Sequence, residues 1–130
     1  RLVAEHSGYS RLTSPVVHRR TVQLNKRERY WSIEDEFIGN GEHVCEVRFH
    51  FAPGLEVHLE DNSVKAINSE TGVALEVSSL DLNVAPMLEE QACSRDYGER
   101  RASVTACWTI SGSIRKMRWK LVPISTAEFK

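Results

Sequence analysis

The chain has 130 residues, about the length of one domain, and can bury roughly two thirds of its unfolded surface around a single core. Its formal charge of −1 argues against a histone-like nucleic-acid-binding protein, because affinity for phosphate backbones needs many uncompensated Lys and Arg. No apolar run reaches the roughly 18 residues of a membrane-spanning helix. We therefore expect neither a nucleic-acid partner nor a membrane.

We expect no signal peptide at the start of this sequence. The opening RLVAEHSGYS lacks a basic-then-apolar pattern, and residue 1 is Arg rather than Met. We expect a fragment of a longer multidomain protein, in which residues 1–130 form a single β-sandwich domain.

Short alternating runs predict the first strands. Leu2–Glu5 and Tyr9–Leu12 are expected on either side of a turn at His6-Ser7-Gly8. A longer strand, Val16–Leu24, leads into a charged turn at 25–29. Neither face of that longer strand is cleanly apolar, so we expect both faces to meet something more polar than a core.

The segment Trp31–Pro53 carries the strongest local signal. Two apolar-alternating runs flank Asn40-Gly41, a dipeptide that readily adopts the type I′ turn of a β-hairpin. A Pro53-Gly54 turn then leads into a strand at Glu56–Glu60. The sequence thus predicts a three-strand antiparallel meander. The second strand of that hairpin has one face formed by His43, Cys45, Val47, Phe49 and Phe51.

Strand signals recur at intervals of about ten residues in the remainder, as in sandwiches and barrels. The predicted strands are Val64–Ile67, Val73–Val77, Leu88–Cys93 (a strand or a helical turn), Arg101–Ile110 and Ile114–Ile124. The strand Arg101–Ile110 has one face formed by Ala102, Val104, Ala106, Trp108 and Ile110. No segment keeps a helical apolar period over three turns. The sequence predicts an all-β fold, an antiparallel β-sandwich of about ten strands with little or no helix.

The cysteines and histidines give no strong metal motif. Cys45, Cys93 and Cys107 lack the close CxxC spacing of zinc sites, and a Cys93–Cys107 bridge competes with the simpler alternative of buried thiols. His50 and His58 could face each other across the Pro53-Gly54 turn, but surface positions on a polar face are the simpler explanation. We expect no metal and no cofactor.

The sequence also shows no motif of a catalytic nucleophile or of a catalytic carboxylate pair. No Ser lies in a GxSxG elbow, and no Cys has the sequence context of an activated thiolate. Glu34, Asp35 and Glu36 are adjacent, but neighbouring strand residues point to opposite faces and do not form a carboxylate pair. A solvated strand end explains all three. We expect no catalytic residue in this chain.

Two basic groups could contact an anionic polymer. Lys116, Arg118 and Lys120 form a cationic stripe opposite an apolar face, which is also what a soluble strand shows to water. In the second group, basic side chains lie near the aromatic ring of Tyr9, and this combination suits a charged sugar. The candidate substrate-binding residues are Tyr9, Arg11, His18, Arg20, Arg48 and His50.

The order of these segments resembles a known family. HSGYSRLTSPVVHRRTVQL followed by WSIEDEFIGNGEHVCEVRFHFAPGLEV is similar to the β-sheet region of heparinase II/III-like polysaccharide lyases, and SRDYGERRASVTACWTISGSIRKMRWKLVPI resembles its closing strands. The resemblance implies an N-terminal α/α toroid joined to a C-terminal β-sandwich, with a uronic-acid-containing polysaccharide bound between them and cleaved by β-elimination. The family's catalytic Asn or Glu and Tyr, its HxHxD segment and its metal-binding Asp have no counterpart in this sequence.

The resemblance therefore implies the later part of the C-terminal sandwich, helping to form a groove for an acidic polysaccharide. Its partners would be that polysaccharide and the missing toroid, in the periplasm or outside a bacterial cell. Two alternatives stay open, namely a non-catalytic carbohydrate-binding module and a purely structural one.

Overall fold

The computed structural model describes residues 1–125, which form ten β-strands in two antiparallel sheets. The strands are β1 (Leu2–Tyr9), β2 (Val16–Asn25), β3 (Tyr30–Gly39), β4 (His43–His50), β5 (Glu56–Glu60), β6 (Ser63–Asn68), β7 (Val73–Ser79), β8 (Met87–Cys93), β9 (Arg101–Gly112) and β10 (Lys116–Ser125). None of the described residues is helical, so none of them lies in a helix that could cross a membrane. The predicted all-β sandwich is confirmed.

The two sheets differ in width. The larger sheet has seven strands in the order β1-β2-β3-β10-β7-β6-β5, and the smaller sheet has three in the order β4-β9-β8. A three-stranded sheet covers only part of a seven-stranded one, since neighbouring strands are about 4.8 Å apart. Side chains along β1 are exposed, and those of β2 are mostly half-buried.

The core lies between the sheets and is centred on two tryptophans. Trp108 of β9 and Trp119 of β10 are fully buried, with ring centroids 4.9 Å apart. Phe49 of β4 contacts both rings edge-on. This arrangement confirms the apolar faces predicted for the three strands, because period-two alternation places every second side chain in the core. The buried core residues are Val47, Phe51, Val64, Ala66, Val77, Ala106, Trp108, Met117 and Trp119.

The predicted hairpin around Asn40-Gly41 is wrong. β3 pairs with β2 and β10 in the larger sheet, whereas β4 pairs with β9 in the smaller one. Only Gly41 of the dipeptide has a positive φ, of 91°, so the turn is not type I′. The physical reason is tertiary. Both strands carry an apolar row, and these rows bury more surface by facing each other across the core than they would side by side.

The predicted meander is wrong for the same reason. Gly54 has φ of 85°, as the predicted Pro53-Gly54 turn requires. The following strand, β5, pairs with β6 in the larger sheet and not with β4. The turn therefore returns the chain to the opposite sheet.

The start of the chain also differs from the prediction. A single strand, β1, replaces two short strands and a turn at 6–8. Its register against β2 changes from His6↔His18 to Tyr9↔Val16, which is one extra residue absorbed as a β-bulge. The chain turns later, where the Leu12 amide donates to the Tyr9 carbonyl.

Most of the remaining assignments are confirmed. β2, β6, β7 and β9 cover the predicted strands, and the alternative left open at Leu88–Cys93 resolves as strand β8. The Cys93–Cys107 bridge does not form. Cys93 pairs with Arg101 and Cys107 with Met87, so the two thiols lie about 20 Å apart along the ladder. All three cysteines are free.

Candidate functional site

A groove of about 400 Å³ lies where the larger sheet extends past β4. β4 is an edge strand of the smaller sheet. Parts of β2 and β3 extend beyond it and form the other side of the groove. The lining residues are Tyr9, Leu12, Val16, His18, Arg20, Asp35, Phe37, residues 43–48 and Ile114. The unequal width of the two sheets therefore creates the groove.

The groove brings together four of the six predicted substrate-binding residues. Tyr9, His18, Arg20 and Arg48 line it. Arg11 lies in the exposed turn after β1 and is not a lining residue. His50 is also outside the groove, and its Nδ1 lies 2.9 Å from the hydroxyl of Thr105 on β9.

Asp35 of β3 is the central polar residue of the groove floor and has 0% of its surface exposed. Its Oδ1 accepts hydrogen bonds from His18 Nε2 and Arg20 Nε, both at 2.7 Å, and its Oδ2 accepts one from Arg20 Nη2 at 2.9 Å. The Arg20 guanidinium thus grips the carboxylate with two parallel bonds, which are stronger and more directional than neutral hydrogen bonds.

These contacts keep Asp35 ionised despite its burial. Burial is the largest influence and by itself raises the pKa, but the hydrogen bonds from Arg20 and His18, with their charges, lower the pKa of Asp35 below its ordinary value. The same pair raises the pKa of Arg20, chiefly through its hydrogen bond to Asp35. The floor of the groove is therefore an ion pair at neutral pH.

The prediction of a solvated strand end is wrong for Asp35. Glu34 and Glu36 lie on the other face of β3, where both approach Lys116 and Glu36 also approaches Arg19. A sequence signal was present, because Asp35 stands two residues from Ile33 and two from Phe37 and therefore shares their core-facing side. Buried acids need partners, and the basic residues of β2 provide them.

A second histidine extends this network to the edge strand. His6 Nε2 of β1 lies 3.3 Å from His18 Nδ1, and the Gly8 amide donates to His6 Nδ1 at 3.2 Å. The His18 ring stacks on Phe37 with centroids 5.1 Å apart, and the His6 ring lies 5.2 Å from that of Tyr9. Sequence reasoning assigned His6 to a turn and did not identify it as part of the site.

The opposite wall of the groove carries a second ion pair. Arg48 of β4 bonds Glu46 at 2.7 Å and approaches Glu89 of β8 at 3.6 Å. The hydrogen bond that Arg48 donates to Glu46 is the main reason that the pKa of Arg48 is raised. Burial raises the pKa of the Cys45 thiol, so this cysteine is not an activated nucleophile.

The other candidate groups lie elsewhere and have internal partners. In the cationic stripe, Lys116 pairs with Glu34, Arg118 bonds Asp81 at 2.7 Å, and Lys120 sits over the Tyr30 ring. Two cations of the stripe are therefore paired with carboxylates, and the third lies over an aromatic ring.

The two histidines considered for a metal do not converge. His50 is in the smaller sheet and His58 is in the larger sheet, next to Glu56. Within residues 1–125 no three His, Cys, Asp or Glu side chains are grouped as metal ligands.

The groove has the chemistry of a binding site. Two guanidiniums, a phenol and two imidazoles surround a cleft whose buried carboxylate is already paired. Such a surface can hold an anionic, hydroxyl-rich ligand through charge-assisted hydrogen bonds and an aromatic contact.

Comparison with solved structures shows the same fold in larger proteins. The heparan sulfate lyase HepC from Pedobacter heparinus aligns with 86% of this chain at 15% identity and a TM-score of 0.75. The heparinase III-BT4657 gene product aligns with 98% of it at 19% identity and a TM-score of 0.76. The chain spans 19% and 20% of those two proteins, about a fifth of each.

The family comparison covers nearly the whole chain. No curated protein matches it. The model described as "Heparinase II/III-like, C-terminal" matches residues 1–122. The chain therefore belongs to the heparinase II/III-like C-terminal family.

Proposed function

We propose that this chain is the sandwich part of a polysaccharide lyase and that its groove contacts an acidic, uronate-containing polysaccharide. The full-length protein would cleave the polymer by β-elimination and act in the periplasm or outside the cell, where such polymers occur. The observation that carries the proposal is the convergence of Tyr9, Arg20 and Arg48 on one cleft. Family membership supports it independently.

Arg20 can bind a ligand while it holds Asp35. A guanidinium has five N–H donors, and the bonds to Asp35 use two of them. The remaining donors suit a sugar carboxylate or sulfate, which guanidinium recognises through paired hydrogen bonds. The carboxylate of Asp35 positions Arg20 and keeps it charged.

Tyr9 adds an apolar contact at the edge of the groove. Its side chain is half-exposed and follows the bulge of β1. A tyrosine ring offers a flat face to the C–H side of a pyranose and a hydroxyl to its oxygens. The combination of a ring and two guanidiniums distinguishes a uronate chain from a neutral glucan.

The chemical step is assigned to other segments of the parent protein. β-Elimination needs a base at the sugar C5 proton and a donor at the developing enolate. His18 is not available as that base, because both of its ring nitrogens are engaged, one by Asp35 and one by His6. The 130-residue chain alone is expected to bind the polymer and to release no unsaturated product.

A titration with matched variants tests this proposal. Heparin oligosaccharides are expected to shift the amide NMR signals of β2 and β4, whereas a neutral glucan leaves them unchanged. Arg48→Gln and Tyr9→Ala should each weaken binding about fivefold, which corresponds to the loss of one contact worth about 1 kcal/mol. Arg101→Gln and Tyr97→Ala are controls outside the groove, on a residue paired with Glu99 and on an exposed loop.

Two results would contradict it. If the control variants weaken binding as much as the groove variants, the polymer binds elsewhere on the sandwich. If no oligosaccharide shifts any amide signal, the chain is a structural module.

A further inference from the structure

A directed chain of hydrogen bonds crosses the floor of the groove from β1 to β3. The ionised Asp35 only accepts, so His18 Nε2 carries a proton and donates to it. At the other end the Gly8 amide only donates, so His6 Nδ1 is unprotonated and His6 Nε2 carries the proton. His6 Nε2 then donates to His18 Nδ1. Both ends of the chain impose the same direction.

In this arrangement both histidines are neutral, and each ring nitrogen has a partner. A further proton on His18 Nδ1 would face the N–H of His6, and one on His6 Nδ1 would face the N–H of Gly8. Either position sets two donors against each other. The pair therefore cannot take up a proton without losing one of its hydrogen bonds.

The surroundings decide which bond is lost. His18 is held by Asp35 on one side and stacked on Phe37, whereas His6 lies on an edge strand whose residues are all exposed. An imidazolium at His18 gains the attraction of the buried carboxylate. Opening of the His6–His18 contact would leave that imidazolium in place, and the His6 side chain on its exposed strand has room to move into solvent.

The other charges that face the pair are balanced. Arg20 pairs with Asp35 on the floor, and Arg48 pairs with Glu46 on the opposite wall. His43, Tyr9 and Cys45 line the same groove, and burial raises the pKa of the Cys45 thiol. Glu5 and Arg19 pair with each other, and Arg19 also pairs with Glu36 on the reverse face.

We propose that the His6–His18 pair takes up one proton by opening, and that the opened pair gives the groove a positive charge and a free His18 Nδ1–H donor for a carboxylate or sulfate. Binding of the acidic polysaccharide then strengthens in mild acid. The choice of ligand rests on the function proposed above, whereas the opening of the pair depends only on the hydrogen-bond geometry.

Nitrogen NMR of the ring atoms tests the opening without a ligand. At about pH 7.5 both histidines are expected as Nε2–H tautomers, and acidification to about pH 5.5 should change the signals of the two rings together. His6→Ala should change the response of the His18 ring signals to acid. Independent responses of the two rings, an Nδ1–H tautomer of either at neutral pH, or a protonated pair in which His6 Nε2 accepts from the His18 Nδ1–H, would overturn the proposal.

Calorimetry with a sulfated heparin tetrasaccharide and a sulfate-free alginate tetrasaccharide tests the consequence. Uptake of one proton allows at most about a tenfold change per pH unit, and we expect about fivefold tighter binding at about pH 5.5 than at about pH 7.5. His18→Gln should abolish this increment. His58→Gln, at an exposed position next to Glu56 in β5, should keep it.

A second variant covers the case in which His18→Gln does not fold. His6→Ala, on an exposed strand, removes the N–H donor that faces His18 Nδ1, so the tightening of binding in acid should begin at a higher pH than in the wild type. Binding that is equally tight at both pH values would contradict this inference and leave the proposed function intact. If neither tetrasaccharide binds at either pH, the proposed ligand is wrong. The NMR result would still decide whether the pair opens.

Discussion

At the scale of single residues, Asp35 connects the stability of the sheet to the groove. It is a fully buried carboxylate in β3 that is satisfied by two neighbours on β2. A buried charge costs several kcal/mol unless it is paired, and removing one partner of a buried pair typically costs about 3–5 kcal/mol. Stability and the proposed ligand contact of Arg20 therefore depend on the same ion pair.

Asp35→Asn should lower the free energy of unfolding by about 3 kcal/mol at neutral pH, because the guanidinium of Arg20 then has no counter-charge. Urea denaturation followed by tryptophan fluorescence measures this. Glu34→Gln is the control, since its pair with Lys116 is exposed and worth less than about 1 kcal/mol. Equal losses in the two variants would contradict a special role for the buried acid.

The same residue predicts a pH dependence. The pKa of Asp35 is lower in the folded chain than in the unfolded one, so its contribution is complete above the ordinary carboxyl value of about 4 and is lost as the pH falls through the folded value. The stability gap between wild type and Asp35→Asn should therefore narrow in acid. A gap that stays constant down to about pH 2 would show that ionisation of Asp35 does not contribute.

At the scale of elements, the crossing from β3 to β4 depends on a close backbone approach. Gly39 is the last residue of β3 and pairs with Val16, the first of β2. A Cβ at Gly39 would overlap the carbonyl oxygen of Pro15. Since backbone cannot move as a flexible side chain can, this position requires glycine even though its φ is not positive.

Gly39→Ala should destabilise the chain by about 2 kcal/mol, because the backbone of Pro15 or of β3 must shift. Faster amide hydrogen exchange should appear at the Val16 end of the β2–β3 ladder. Gly98→Ala is the control, in a loop where an added Cβ meets no atom within 4 Å but φ is 79°. It should cost about 1 kcal/mol and leave exchange in β2 unchanged. Unchanged exchange in Gly39→Ala would contradict the close contact.

At the scale of the whole molecule, one aromatic cluster joins the sheets. Phe49 from the smaller sheet contacts Trp108 of its own sheet and Trp119 of the larger one. Neither sheet can bury its apolar face without the other, so unfolding should be cooperative. The groove is kept open by the same packing, since it sets the distance between β4 and β2.

Phe49→Ala should lower the free energy of unfolding by about 3 kcal/mol while the transition stays single, because the cavity it leaves lies against both tryptophans. Fluorescence and circular dichroism melts should coincide. Val44→Ala, on the same strand at a position that is 70% exposed, should change stability by less than about 0.5 kcal/mol. Separate transitions for the two probes would mean that the sheets unfold independently.

Much of the candidate site could be predicted from the sequence. Period-two alternation predicts the core faces of β4, β9 and β10, and the mixed polarity of Val16–Leu24 predicts a strand that faces a polar environment. That strand contributes His18 and Arg20 to the groove. Asp35 and His6 were not identified, because the importance of each depends on the partner strand that lies beside it.

Alternation is a property of a single strand, so the sequence by itself determined that the chain is all-β, where most strands lie and which side of each is apolar. Pairing depends on contacts between distant segments. Asn40-Gly41 has the local preference of a hairpin turn, yet burial of the apolar rows of β3 and β4 against each other outweighs it. Only the tertiary structure decided that the sheets have seven and three strands, and the groove exists because of that difference in width.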